Sequence, residues 1–163
     1  TSIALNPYQK DRIMSFLNPL SDPSGKTYHI TQSLIAIGSG GITGLGLGES
    51  KLKYFYLPLQ YSDFIYAILC EELGLIAAVG VIFLFLLLCI RGFKIARQAP
   101  SKFGYYLSMG LTLCLTLQAL LNIGAVTSVL PITGITLTFI SFGGTSLICS
   151  MFFVGVLLNI SKK

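Results

Sequence analysis

Residues 103–160 read FGYYLSMGLTLCLTLQALLNIGAVTSVLPITGITLTFISFGGTSLICSMFFVGVLLNI, 58 residues without one Asp, Glu, Lys, Arg or His. Lys102 and Lys162 stand just outside its two ends. A helix that crosses a bilayer needs ~20 mostly apolar residues, so this stretch has room for two passes and the turn between them. A third run, 73–90, has 18 uncharged residues, and its helix is expected to begin earlier, near Phe64 to Ala67. The expected spans are about 66–90, 103–124 and 141–160. The whole chain agrees, with 53% hydrophobic and 10% charged residues and a mean hydropathy of +0.79. Soluble domains carry about 25% charged residues. The fold class is therefore all-α integral membrane: three transmembrane helices preceded by a large outward loop with short helices. The chain opens on Thr rather than Met and reads as a fragment of a longer protein.

Charge orients the spans. Residues 1–72 carry Lys10, Arg12, Lys26, Lys51 and Lys53 against Asp11, Asp22, Glu49, Asp63, Glu71 and Glu72, and are close to neutral. From residue 73 onward there is no acid, and the basic residues are Arg91, Lys94, Arg97, Lys102, Lys162 and Lys163. Short loops rich in Lys and Arg stay in the cytoplasm. One orientation satisfies both clusters: loop 91–102 and the C-terminus inside, residues 1–63 and the turn 125–140 outside. The net charge of +5 is thus a topology signal. A nucleic-acid surface would gather these residues in one stripe, and here they flank spans, so no nucleic-acid partner is expected. Cys70, Cys89, Cys114 and Cys149 lie in or beside apolar runs with no CxxC pattern, which reads as buried packing.

The outward segment 1–63 is rich in Gly, Pro, Ser and Tyr, with turn signals at Asn18-Pro19, Asp22-Pro23 and Ser24-Gly25. Residues 27–37 place Ile30, Leu34 and Ile37 at helical spacing, suiting a short amphipathic helix on the membrane or the bundle. Gly38, Gly40, Gly41, Gly44, Gly46 and Gly48 follow. Ser24-Gly25-Lys26-Thr27 looks like the end of a phosphate loop, but Leu20 stands where that motif needs Gly. The glycines read instead as tight turns and close backbone approach.

Three acids stand out. Asp63, at the outer mouth of the first span, lies where a partly desolvated carboxylate can act as a general base. The plain alternative is that Ser62 or Asp63 caps the helix. Glu71 and Glu72 fall about two turns inside the expected span, where ionisable groups usually face a bundle interior or a water-filled cavity. They are candidates for substrate contact or interhelical bonding.

Several motifs occur in a familiar order: Ser39-Gly-Gly-Ile-Thr-Gly-Leu-Gly-Leu-Gly-Glu-Ser, Tyr56-Leu-Pro, Asp63-Phe-Ile, Glu71-Glu-Leu-Gly74, Gln118-Ala-Leu-Leu-Asn-Ile-Gly124, and Leu130-Pro131 to Phe139-Ile-Ser-Phe-Gly-Gly144. With Tyr8-Gln9, Arg12-Ile13 and Asp22-Pro23 before them, they cover nearly the whole chain. The pattern resembles the C-terminal part of the SEDS family, the bacterial shape, elongation, division and sporulation proteins. The Gly-Leu-Gly-Glu-Ser-Lys-x-Lys run resembles the division branch more than the rod-elongation branch.

The resemblance implies a ten-span SEDS-type bundle, of which this chain would supply the large outer loop and the last three spans. It implies a peptidoglycan glycosyltransferase of the bacterial cytoplasmic membrane that polymerises lipid II during cell division. Its partners would be a class B penicillin-binding protein transpeptidase, other division proteins and membrane lipids. The family's essential acid, in a Leu-Pro-Glu-x-His-Thr-Asp-Phe pattern, maps onto Asp63, although Leu59, Tyr61 and Ser62 replace the Glu, His and Thr. Thr136 and Thr138 stand where prolines are common, and Phe142 where Tyr is usual. On this reading Asp63 removes the proton from an acceptor 4-hydroxyl as it attacks a lipid-pyrophosphate donor with inversion. The leaving pyrophosphate needs positive charge, for which Arg12 is the first candidate and Lys51 and Lys53 the next. A divalent cation could assist, but the sequence shows no ligand cluster for one. Two other readings are a lipid II flippase with a path along Glu71, Glu72, Gln118 and Asn122, and a non-catalytic scaffold of the division machinery. The chain alone is expected to be inactive.

Overall fold

The computed structural model describes residues 26–50, 63–131 and 134–162, all of whose regular elements are helices. In chain order they are α1 (Lys26–Ser39), α2 (Ile65–Gln98), α3 (Lys102–Val126) and α4 (Gly144–Ser161). The last three are long and apolar enough to cross a membrane, so this is a multi-pass membrane protein.

α2 is a broken helix. Gly74 has φ 73° and ψ −169°, outside any helical region, and interrupts the ladder between residues 65–73 and 75–98. The two arms are steeply inclined. Tyr66 Oη donates to the carbonyl of Ala78, 3.2 Å away and twelve residues on. A straight helix rises ~18 Å over twelve residues, beyond the reach of a tyrosine. The lower arm, 75–98, rises roughly 36 Å at ~1.5 Å per residue and suffices to cross the hydrocarbon layer by itself. The helix does begin near the expected position, yet its first nine residues or so form a separate short arm.

The glycine-rich segment after α1 closes the break. Leu45 and Gly46 donate their backbone N–H groups to the carbonyls of Glu71 and Glu72, both at 3.0 Å. In return, Leu75 and Ile76 donate to the carbonyls of Gly41 and Ile42, at 3.0 and 3.5 Å. Four groups orphaned by the bend thus find partners in one neighbouring loop, as backbone in an apolar setting requires. Only glycine allows this approach. A Cβ on Gly74 would collide with the backbone of Gly44 and Ile42, and one on Gly44 with the backbone of Glu72 and Leu73. Gly40, Gly44 and Gly74 thus serve close backbone approach, while Gly41, Gly46 and Gly48 take the positive φ that tight turns need.

α1 follows the expected spacing only in part, with Ile37 packed against the core. Ser33 and Ala36 are fully buried, whereas Leu34 and Ile35 are exposed. The small residues face the bundle, where α1 packs mainly along α2 and Ser33 Oγ also reaches the end of α3, donating to the carbonyl of Val126 at 3.2 Å. Helices α2 and α3 also meet through small groups, with Gly92 directly over Thr112. Thr112 and Thr116 satisfy their hydroxyls on the carbonyls of Ser108 and Thr112, at 2.7 and 2.8 Å.

At the other end of α2, helix persists through Arg91, Lys94 and Arg97 to Gln98. The expected loop 91–102 shrinks to residues 99–101 because no helix breaker precedes Pro100. Ser101 then caps α3, its side chain accepting from Gly104 N–H at 3.1 Å. Ile160 of α4 lies beside Gly104, so Arg91, Lys94, Arg97, Lys102 and Lys162 gather at one end of the bundle. Cysteine burial is only partly as expected: Cys70 is buried, but Cys114 and Cys149 are exposed.

The bend yields a stability prediction. Gly74→Ala in the full-length protein forces a side chain into backbone at a left-handed position, which should cost about 3 kcal/mol or more. Gly80→Ala, with nothing within 4 Å of its added methyl, is the control and should leave stability unchanged or slightly raised. Thermal unfolding in detergent micelles compares the two.

Candidate active site

Asp63 immediately precedes α2. The N-cap residue is Phe64, at φ −102° and ψ 14°, so Asp63 stands one residue outside the cap position. Phe64 itself is buried, which anchors the helix head in the core and leaves Asp63 half-buried at its rim.

The segment 134–138 runs directly against this head. Asn122 Nδ2 donates to the backbone carbonyl of Asp63 at 3.0 Å and to that of Ile135 at 2.6 Å. One turn earlier on α3, Gln118 Nε2 donates to the carbonyl of Thr136 at 3.3 Å. Residues four apart share a helix face, so the two amides act on one stretch of backbone. Leu137 and Thr138 are fully buried beyond it, and Leu137 N–H donates to Ser141 Oγ at 2.8 Å. Gly134 has φ 66°, and a Cβ built on it would stand 3.9 Å from Asp63 Oδ2.

Gly134 also lines a cleft of about 480 Å³ between α3 and α4. Gln118, Thr136, Thr145, Ser146 and Ser150 give this cleft an amide and hydroxyls beside apolar Ile135 and Phe153, and among the described residues no charged side chain lines it. Thr136 Oγ1 donates to Ser146 Oγ at 3.2 Å, tying the cleft's two walls together. Cys114 and Cys149 are on the same walls, which explains their exposure. Such a lining suits neutral, hydroxyl-rich groups. Asp63 is not one of the cleft's lining residues and comes near it at Gly134.

Glu71 and Glu72 occupy the break in α2 rather than the interior of the crossing arm. Glu71 is 3% exposed and accepts a hydrogen bond from Ser50 Oγ, itself fully buried. Glu72 is half-buried, and its Oε1 has no hydrogen-bond partner among the described residues. The structure thus brings Asp63 together with Asn122 and the 134–138 segment, while Glu71 is engaged by the glycine-rich loop. Arg12, Lys51 and Lys53 lie outside the described residues. Among the described residues, no three His, Cys, Asp or Glu side chains group as a metal site. Sequence reading assigned Asn122 to a transport path and missed its bond to Asp63. An amide within an apolar span was the available signal.

Comparison with known proteins places these features in a group. A family model described as "Cell cycle protein", FtsW/RodA/SpoVE, matches residues 1–163. Stage V sporulation protein E of Bacillus subtilis (strain 168) is 49% identical over 156 residues, covering 96% of this chain and 43% of that protein. A probable peptidoglycan glycosyltransferase FtsW of Coxiella burnetii (strain RSA 493 / Nine Mile phase I) is 47% identical over 162 residues, covering 98% and 44%. Among solved structures, one titled "Structural coordination of polymerization and crosslinking by a peptidoglycan synthase complex" matches with a TM-score of 0.79 and 28% identity. That match covers 97% of this chain and 43% of the other. The chain spans about two fifths of the length of these relatives. Its motifs, its helices and its matched length agree, and the chain belongs to the FtsW/RodA/SpoVE family.

Proposed function

We propose that the protein is a peptidoglycan glycosyltransferase that polymerises lipid II, with Asp63 as the general base. The observation that carries this reading is the position of Asp63: half-buried just before the helix head, its backbone carbonyl held by Asn122, and close to Gly134, which lines a cleft bearing an amide and hydroxyls. Relatives bearing the name probable peptidoglycan glycosyltransferase support it. So does the likeness to a chain in a structure titled for polymerization and crosslinking.

The chemistry is a single inverting displacement. The acceptor 4-hydroxyl bonds to the donor's anomeric carbon as the bond from that carbon to the pyrophosphate oxygen breaks, and Asp63 takes the hydroxyl proton. Pyrophosphate leaves without a general acid but needs positive charge, which we assign to Arg12, with Lys51 or Lys53 next. The end of α2 bearing Asp63 and the turn before α4 face the outside, with the basic end of the bundle in the cytoplasm. The crosslinking partner is a class B transpeptidase.

The flippase alternative loses its physical support. Of the residues proposed to line a path, Glu71 and Asn122 are buried, and Asn122 and Gln118 are engaged in holding backbone.

Three outcomes test this reading in the full-length protein. Asp63→Asn keeps shape and removes basicity, and should lower lipid II polymerisation at least about a hundredfold; near-parental rates would sink the base assignment. Arg12→Ala should weaken turnover most at limiting lipid II, and an unchanged rate there would argue against its phosphate role. In a cysteine-free background, an impermeant maleimide added to intact cells should label Val129→Cys and spare Ser101→Cys; the reverse pattern would invert the topology.

A further inference from the structure

Asn122 is 2% exposed in an apolar helix, where an amide costs stability unless its hydrogen bonds are made. It makes them on one side only. Nδ2 serves two carbonyls from segments far apart in the chain, Asp63 at 3.0 Å and Ile135 at 2.6 Å. Oδ1 is buried without a hydrogen-bond partner among the described residues. An apolar residue of similar size would remove that orphaned oxygen but leave the two carbonyls without their donor. The amide is therefore explained by what its N–H groups hold together.

What they hold is the backbone that carries the acid. With both carbonyls on one nitrogen, the Asp63 backbone is pinned against residues 134–135. The Asp63 carboxylate then passes Gly134, whose missing side chain would sit 3.9 Å from Oδ2. Gln118 secures the next carbonyl, Thr136, from the same face of α3.

We propose that Asn122 is a positioning residue for the glycosyl transfer, its two N–H groups clipping Asp63 to the 134–137 segment and so aiming the carboxylate at the cleft. This rests on the reading of Asp63 as the base. Asn122 touches no reacting atom and acts through Asp63. A base displaced by ~1 Å can lose a hundredfold in rate while substrate binding is little altered.

The test uses the full-length protein with its partner in liposomes containing lipid II. Asn122→Asp keeps the side-chain volume and replaces both N–H groups with a carboxylate oxygen. It should lower kcat tenfold or more, leave KM for lipid II within twofold, and retain a folded melting transition. A geometric arm runs beside it: with the four native cysteines replaced, Asp63→Cys and Gly134→Cys should trap as a disulfide. Adding Asn122→Asp should cut that trapping at least fivefold. Undiminished trapping, or a parental kcat, would overturn the clip. If Asn122→Asp fails to accumulate, Asn122→Ser, which retains one donor, should give intermediate trapping and rate; parental values would again overturn it. Parental polymerisation by Asp63→Asn would instead remove the base reading, leaving the disulfide arm to judge the clip separately.

Discussion

The break in α2 at Gly74, and its repair by the glycine-rich loop, is the constraint on which the rest of this structure turns. A transmembrane helix satisfies its own backbone, and a bend sacrifices that self-sufficiency. Here the lost bonds are exchanged for four bonds to residues 41–46, some thirty positions earlier in the chain. Each unmade bond would cost on the order of 1–3 kcal/mol in a buried setting. The upper arm of α2 and the loop therefore stand or fall together. Asp63, at the tip of that arm, inherits its position from this joint as well as from Asn122.

α3 supplies the other half of the frame. One face meets α2 through Gly92 and Thr112, with the hydroxyls of Thr112 and Thr116 satisfied inside their own helix, so the two backbones come close there. Farther along, Gln118 and Asn122 leave that pattern and send their amides outward to another segment's carbonyls. The change is from hydroxyls that bond within their own helix to amides that hold the backbone at Asp63 and residues 135–136. It coincides with the end of the bundle where Asp63 and the hydroxyl-lined cleft lie.

The three spans were legible because length, hydropathy and flanking lysines act locally and additively along a chain. Asp63 draws attention for a similar reason: an acid at the edge of an apolar run stands out without knowledge of its neighbours. The bend was not legible. Glu71-Glu-Leu-Gly74 reads as an ordinary helical stretch, since a helix tolerates one glycine at ~1 kcal/mol, and the loop that unseats it is distant in sequence. The buried face of α1 follows from periodicity only in part: Ile37 packs against the core, Leu34 is exposed, and Ser33 and Ala36 take the tight contacts. Asn122 stood out as an intramembrane amide, but its partners are backbone carbonyls, which leave no mark in composition.

The joint at Gly74 bears on how such proteins can diverge. Because it is made of main-chain bonds in fixed order, side chains on the exposed tip, such as Ile42 and Leu47, can vary freely. Chain length between positions 41 and 46 cannot, since a one-residue insertion there would throw donors and acceptors out of step with residues 71–76. The joint therefore fixes the length of this loop while leaving the chemistry of its exposed side chains open.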